Sequence, residues 1–170
     1  DDSLRDRLVV FTDTDGDGRH DERTVFWDEG TRLTSVAVGL GGVWVIDLPQ
    51  VLFIPDADDD LVPDGPPEVV LDGLDETSVG HTPANGLTWG PDGWLWGRHG
   101  IQGTSKIGIP GSTDSQRVQI NTGIWRYHPG RRLVEKVMDG MTNSWGTDFD
   151  AHGETFVINT VIGHLWHAVY

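Results

Sequence analysis

Residues 86–96 read GLTWGPDGWLW, and their pattern is the clearest indication of β-structure in the chain. Apolar residues alternate with small or polar ones on both sides of a Gly-Pro-Asp-Gly turn, which is the pattern of two antiparallel strands joined by a tight turn. Two other stretches share this pattern, residues 35–45 (SVAVGLGGVWV) and residues 146–157 (GTDFDAHGETFV). Each of the three is therefore predicted to be a β-hairpin.

The spacing of the three hairpins indicates a repeated unit. Their turn glycines, Gly42, Gly93 and Gly153, lie about fifty to sixty residues apart, which suits four-stranded propeller blades with loop insertions. Four further apolar runs would supply outer strands: residues 51–54, 68–71, 123–127 and 133–137.

These patterns predict an all-β chain. Residues 1–170 are expected to form part of a single β-propeller domain, incomplete at one or both ends, with about three four-stranded blades of a propeller of about six. A β-sandwich with similar hairpins is the alternative.

Composition excludes several classes of protein. The net charge is −15 and only 12 Lys and Arg are spread along the chain, which argues against a nucleic-acid-binding surface. The chain has no cysteine, so this stretch holds no disulfide, thiolate zinc site or covalent haem. No apolar run approaches membrane-spanning length. Because the chain opens on Asp1 and Asp2, it is expected to be a processed or excerpted piece.

Residues 13–24 resemble a calcium loop. Carboxylates stand at loop positions 1, 3, 5 and 9, Gly18 stands at position 6, and position 7 would offer a backbone carbonyl. Thr24 replaces the usual Glu at position 12, so weak affinity is expected unless Glu22 or Asp28 completes the shell. A solvated acidic turn is the alternative. The candidate ligands are Asp13, Asp15, Asp17, Arg19 through its carbonyl, and Asp21.

The carboxylate spacing recurs forty-three residues later, at Asp56, Asp58, Asp60 and Asp64. Here Leu61 stands at the glycine position, so the sequence leaves a metal site and a solvated turn equally open. Both loops follow an apolar strand. They are therefore predicted to be equivalent loops of neighbouring blades, with a structural rather than catalytic role.

Three stretches carry a family resemblance: residues 81–100 (HTPANGLTWGPDGWLWGRHG), residues 142–150 (TNSWGTDFD) and residues 159–167 (NTVIGHLWH). With the Asp-rich first loop they make nearly the whole chain resemble the membrane-bound-dehydrogenase-like propeller proteins of planctomycetes and related bacteria. Those proteins are relatives of the soluble quinoprotein glucose and sorbosone dehydrogenases.

The resemblance implies roles for particular residues. His81 resembles the general base that takes a sugar hydroxyl proton while a hydride passes to pyrroloquinoline quinone, a role that suits a neutral imidazole. Asn143 matches an asparagine that contacts the quinone, although Thr142 replaces its usual arginine neighbour. Gly163 and His164 fall where the family has a Gly-Pro pair that helps to bind an active-site calcium.

Loops at one end of a propeller channel collect residues from successive blades. Five side chains are therefore predicted to share one pocket: His81, Arg98, His99, Asn143 and His164. His81 would be the catalytic residue, and the other four, together with Gly163, would bind the cofactor. For each histidine, a satisfied polar role within the fold is the alternative.

The function expected is oxidation of a sugar or related alcohol in the periplasm or outside the cell. The expected cofactors are Ca²⁺ and pyrroloquinoline quinone, and the expected partners are the small-molecule substrate and a cytochrome electron acceptor, with no nucleic acid and no membrane insertion. Two other functions stay open: a non-catalytic propeller that binds a polysaccharide or a protein, and a calcium-dependent lactonase-like hydrolase.

Overall fold

The computed structural model describes residues 4–78 and 84–169, and these residues form an all-β structure. Two single-turn 3₁₀ helices, Asp114–Gln116 and Pro129–Arg131, interrupt the strands. The strands are β1 Asp6–Thr12, β2 Glu22–Gly30, β3 Leu33–Val38, β4 Gly42–Asp47, β5 Gln50–Pro55, β6 Glu68–Leu71, β7 Asn85–Trp89, β8 Leu95–His99, β9 Ser105–Ile107, β10 Val118–Ile120, β11 Gly123–His128, β12 Leu133–Asp139, β13 Asn143–Phe149, β14 Thr155–Thr160 and β15 Leu165–Ala168.

The three predicted hairpins are present, each in a different sheet. They are β3–β4, β7–β8 and β13–β14, and the four predicted outer strands lie within β5, β6, β11 and β12. The all-β prediction is therefore confirmed.

Each main sheet is an antiparallel meander. Sheet A is the hairpin β1–β2, sheet B has the order β3-β4-β5-β6, sheet C the order β7-β8-β11-β12, and sheet D the order β13-β14-β15. The hairpin β9–β10 is an insertion between β8 and β11.

The sheets are stacked face to face, because neighbouring side chains of a single strand pack into different core clusters. In β4, Trp44 packs in the core cluster shared with sheet C, whereas its neighbour Val45 packs in the cluster shared with sheet A. In β8, Leu95 packs toward sheet B, and Trp96 packs toward sheet D. Because successive side chains of a strand point to opposite faces, sheets B and C each contribute core residues from both faces.

A close approach at Gly97 fixes the packing within sheet C. The indole of Trp125, fully buried on β11, occupies the space that a Cβ at Gly97 would need. A glycine at this position of β8 therefore lets the largest side chain of the core lie flat against the neighbouring strand.

The first strands of sheets B, C and D lie side by side. The Thr34 hydroxyl donates to the Ala84 carbonyl (2.6 Å), and the Leu87 amide donates to the Ser35 hydroxyl (2.7 Å), which ties β3 to β7. β13 in turn contacts β7 and β8. We call the end at which β3, β7 and β13 begin the proximal end, and the end that carries their hairpin turns the distal end.

Among the described residues, apolar side chains are exposed on the face of sheet B toward sheet A and on the outer face of sheet D. Val38 on β3 is 67% exposed on the side facing sheet A, and Leu165 on β15 is 60% exposed on the side facing away from sheet C. In the part of the chain that the structure describes, no helix is long and apolar enough to cross a membrane.

Candidate functional site

Buried polar side chains gather at the proximal end of sheets C and D. Asn85 pairs with Arg98 where β7 begins and β8 ends, and Ser144 pairs with Asn159 where β13 begins and β14 ends. All four residues are buried. Antiparallel pairing therefore brings polar groups from four strands to one end of an otherwise apolar stack.

Arg98 is the buried cation of this cluster. Its side chain is 5% exposed, and its Nε donates to Asn85 Oδ1 over 3.4 Å, while Nη1 has no partner among the described residues. Burial lowers the pKa of the guanidinium to about 10, so the group stays charged at neutral pH. A charged, under-bonded guanidinium inside a chain of net charge −15 is costly unless an anion approaches it.

Gly86 makes room for this guanidinium. Its φ is +68°, and Arg98 lies where a Cβ on Gly86 would stand. The Asn85-Gly86 pair thus supplies both the hydrogen-bond acceptor and the space that hold the arginine. Sequence reasoning found Arg98 but missed Asn85, although an asparagine directly before the glycine that opens a strand was a usable signal.

Asn143 and Asn159 add unpaired polar atoms at the same end. Asn159 Oδ1 accepts the amides of Thr142 and Asn143 at 2.9 Å each, which leaves its buried Nδ2 without a partner among the described residues. Asn143 Oδ1 is buried and unpaired in the same sense. The proximal end therefore offers Arg98 Nη1 and Asn159 Nδ2 as donors and Asn143 Oδ1 as an acceptor, a mixed set that suits an anion bearing oxygen and N–H groups.

His99 lies at the proximal end but is held by the fold. Nδ1 lies 2.7 Å from the carbonyls of Gly100 and Asn121, and Nε2 lies 2.6 Å from the Ser105 hydroxyl. Two carbonyl acceptors require a proton on Nδ1. Both ring nitrogens of His99 therefore contact groups of the protein itself, as in the alternative of a satisfied polar role within the fold. The contact with Ser105 places the β9–β10 insertion against β8.

Of the remaining predicted pocket residues, Gly163 and His164 belong to the described part of the chain, whereas His81 does not. Gly163 and His164 are exposed in the turn after β14, and the His164 carbonyl accepts the Asn159 amide (2.9 Å), which places this turn at the proximal end. His81 lies outside the described residues. The structure therefore brings Arg98, Asn143 and His164 to one end of the sheets.

The first aspartate loop joins β1 to β2. Carboxylate oxygens of Asp13, Asp15 and Asp17 lie within 4.8 Å of one another. Asp13 accepts the amides of Gly16 (2.7 Å) and Gly18 (2.8 Å), and these N–H groups, above all that of Gly18, lower its pKa. An ionised Asp13 is therefore maintained down to more acidic pH than usual.

Asp21 and Arg19, the other two candidate ligands of this loop, make hydrogen bonds within it. The Asp21 carboxylate accepts the hydroxyl (2.8 Å) and amide (3.0 Å) of Thr14, and these two bonds lower its pKa. Arg19 donates its amide to Asp17 Oδ1 (2.8 Å). Asp21 therefore closes the loop by binding backbone, while the first three aspartates converge.

The second aspartate loop joins β5 to β6, and hydrogen bonds equivalent to those of the first loop hold its two ends together. The Asp64 amide donates to the Pro55 carbonyl (2.8 Å), as the Asp21 amide does to Thr12 (3.0 Å), and Asp64 Oδ2 accepts the Ala57 amide (2.7 Å). Carboxylate oxygens of Asp56, Asp58 and Asp60 lie within 4.8 Å of one another. Each loop thus connects neighbouring antiparallel strands, and the second lies at the distal end, away from Arg98.

Comparison with known proteins gives one match. A family model described as "Domain of unknown function (DUF7133)" matches residues 1–170, and the chain belongs to this family. No curated protein and no solved structure matches the chain.

Proposed function

We propose that sheets B, C and D are successive blades of a β-propeller and that sheet A is the outer half of the preceding blade. The support is threefold: each sheet is a meander, the sheets are stacked face to face, and their first strands are adjacent. The exposed apolar faces around Val38 and Leu165 are the surfaces that further blades would cover.

On this scaffold we propose a quinoprotein-type dehydrogenase that oxidises a sugar or related alcohol. The observation that carries it is Arg98, a buried guanidinium whose Nη1 lacks a partner among the described residues. Arg98, together with Asn143 at the same end of the sheets, fits the carboxylates of pyrroloquinoline quinone, which when bound would accept a hydride from the alcohol carbon. His81, four residues before Asn85 in the sequence, would take the hydroxyl proton.

The proximal end also bears on the alternatives. A lactonase-like hydrolase needs carboxylate ligands for a metal-activated water, whereas the buried polar side chains described at the proximal end of sheets C and D include no carboxylate. The buried carboxylate at the proximal end of sheet B, Asp47, is already engaged within the fold. It accepts hydrogen bonds from the Thr31 amide (3.0 Å) and hydroxyl (3.0 Å) and from the Arg32 amide (2.5 Å). The buried guanidinium of Arg98 favours an anionic cofactor over a neutral polysaccharide.

His81→Ala is expected to lower turnover of the quinone-loaded full-length protein by roughly a hundredfold, the usual contribution of a positioned general base. The measurement is steady-state oxidation of a panel of sugars and alcohols with an artificial electron acceptor. His128→Ala is the control, because His128 accepts the Arg131 amide in the turn before β12. Full activity of the His81 variant would exclude the histidine as the base.

We also propose that the first aspartate loop binds Ca²⁺. The support is the motif spacing, the convergence of Asp13, Asp15 and Asp17, and the lowered pKa of Asp13. The absence of a glutamate at loop position 12 points to weak affinity, which suits the calcium levels outside the cytosol, and we propose a periplasmic or extracellular location.

Asp13→Asn is expected to lose one calcium ion per chain and part of the calcium-induced rise in Tm. Calorimetric titration and thermal unfolding with and without a chelator measure both quantities. Glu29→Gln removes an exposed charge of the adjacent strand β2, outside the loop and its candidate ligands, and serves as the control that keeps calcium binding. Unchanged stoichiometry in the Asp13 variant would refute the site.

A further inference from the structure

Asp56 differs from every other carboxylate of the two aspartate loops because it is buried. It is 4% exposed, and its Oδ1 is buried with no hydrogen-bond partner among the described residues. Its counterpart Asp13 accepts two backbone amides instead. An unpartnered carboxylate oxygen costs free energy in a protein interior unless a cation or a donor satisfies it.

The backbone of the second loop repeats the first loop without its glycines. Gly16 and Gly18 have φ values of +78° and +86°, and Asp59 and Leu61, forty-three residues later, have +57° and +66°. A left-handed conformation costs a leucine roughly 1–2 kcal/mol. The replacement of the loop glycine by Leu61 therefore does not alter the course of the backbone, although it left the sequence unable to distinguish a metal site from a solvated turn.

Packing of Leu61 accounts for its unusual conformation. Its side chain packs against the core cluster of Phe26, Val45 and Ile54, between sheets A and B. Full burial of a leucine side chain is worth roughly 1.5–3 kcal/mol, so the partial burial of Leu61 offsets part of the backbone strain. Leu61 and Asp56 also line a cleft of about 550 Å³ between the two sheets, so the strained loop carries its first carboxylate inward.

We propose that the second loop is a calcium site, with Asp56, Asp58 and Asp60 as its carboxylate ligands. Three converging carboxylates with no thiolate or imidazole among them suit a hard cation. A Ca²⁺ ion would satisfy Asp56 Oδ1 and offset the repulsion among the three charges, with backbone carbonyls and water filling the remaining positions. The proposal does not rest on the quinone or on the first loop.

The test is calorimetric titration of chelator-treated full-length protein with CaCl₂. Asp56→Asn and Asp58→Asn are each expected to lose one ion per chain relative to the unaltered protein, and combining Asp56→Asn with Asp13→Asn to lose two. Asp59→Asn is the matched control, because it removes a charge from the same loop outside the carboxylate cluster and asparagine tolerates the left-handed conformation. That variant keeps the full stoichiometry.

Thermal unfolding separates a ligand from a structural residue. Without calcium, Asp56→Asn is expected to melt at or above the Tm of the unaltered protein, because it removes a buried unpaired charge. With saturating calcium the order reverses, because only the unaltered loop gains stability from the ion. Undiminished calcium stoichiometry in both Asp56→Asn and Asp58→Asn, or the same Tm difference with and without calcium, would overturn the proposal.

Discussion

Arg98→Met is expected to weaken binding of pyrroloquinoline quinone to the full-length protein by roughly a hundredfold or more. Truncating one partner of a buried charge-assisted contact costs about 2–5 kcal/mol, and Arg98 is the buried cation of the proximal end. Methionine fills similar space without charge. Absorbance titration with the quinone gives the dissociation constant of each variant.

The same variant is expected to leave the ligand-free protein as stable as before or more stable. Arg98 makes one weak hydrogen bond, to Asn85 over 3.4 Å, and no ion pair among the described residues, so its charge contributes little to the fold itself.

Arg126→Met is the matched control. Arg126 bonds Glu135 (2.9 Å) and Asp92 (3.4 Å) and stacks on Trp94, 4.2 Å from the ring centroid. Its loss should lower Tm and leave quinone affinity unchanged. Unaltered quinone affinity together with a large loss of stability in Arg98→Met would assign Arg98 to the fold instead.

Trp125→Ala is expected to lower the free energy of unfolding by roughly 3–5 kcal/mol, the range for removing a large aromatic from a core. Trp125 is 0% exposed, belongs to the cluster between sheets B and C, and lies against Gly97. Glycine cannot move to fill the space that the indole leaves. Urea unfolding of the variant measures the loss.

Trp125→Phe provides the comparison. It retains an aromatic ring and removes Nε1, which is buried without a partner among the described residues, so its cost should be well under half that of alanine. A loss below about 1 kcal/mol for Trp125→Ala would show that sheets B and C are not held together through this residue.

The strands of the fold were predictable because they depend on local pattern. Alternation on both sides of a glycine turn is enough to place β7–β8, and the same pattern places β3–β4 and β13–β14. The stacking of the sheets was less accessible, because it depends on contacts between residues distant in sequence, such as Trp44 and Tyr127, whose ring centroids lie 6.3 Å apart. The insertion β9–β10 was missed because its strands have three residues each, too short to show a period.

The candidate site was predictable only where spacing decides geometry. Three carboxylates two residues apart converge in each loop, whereas the fourth candidates, Asp21 and Asp64, accept backbone amides. The burial of Asp56 was not predictable, because it depends on Leu61 packing between two sheets. His99 resembled a cofactor contact in sequence, yet its ring bonds Ser105 across an insertion that local pattern does not reveal.

Titration of the metal-loaded, full-length protein with pyrroloquinoline quinone tests most directly whether the proximal end holds the quinone. We expect saturable binding of one quinone per chain, a change in the quinone absorbance, and competition by other polycarboxylate anions that need Arg98. Absence of saturable binding, or binding equally strong in Arg98→Met, would show that Arg98 does not hold a quinone.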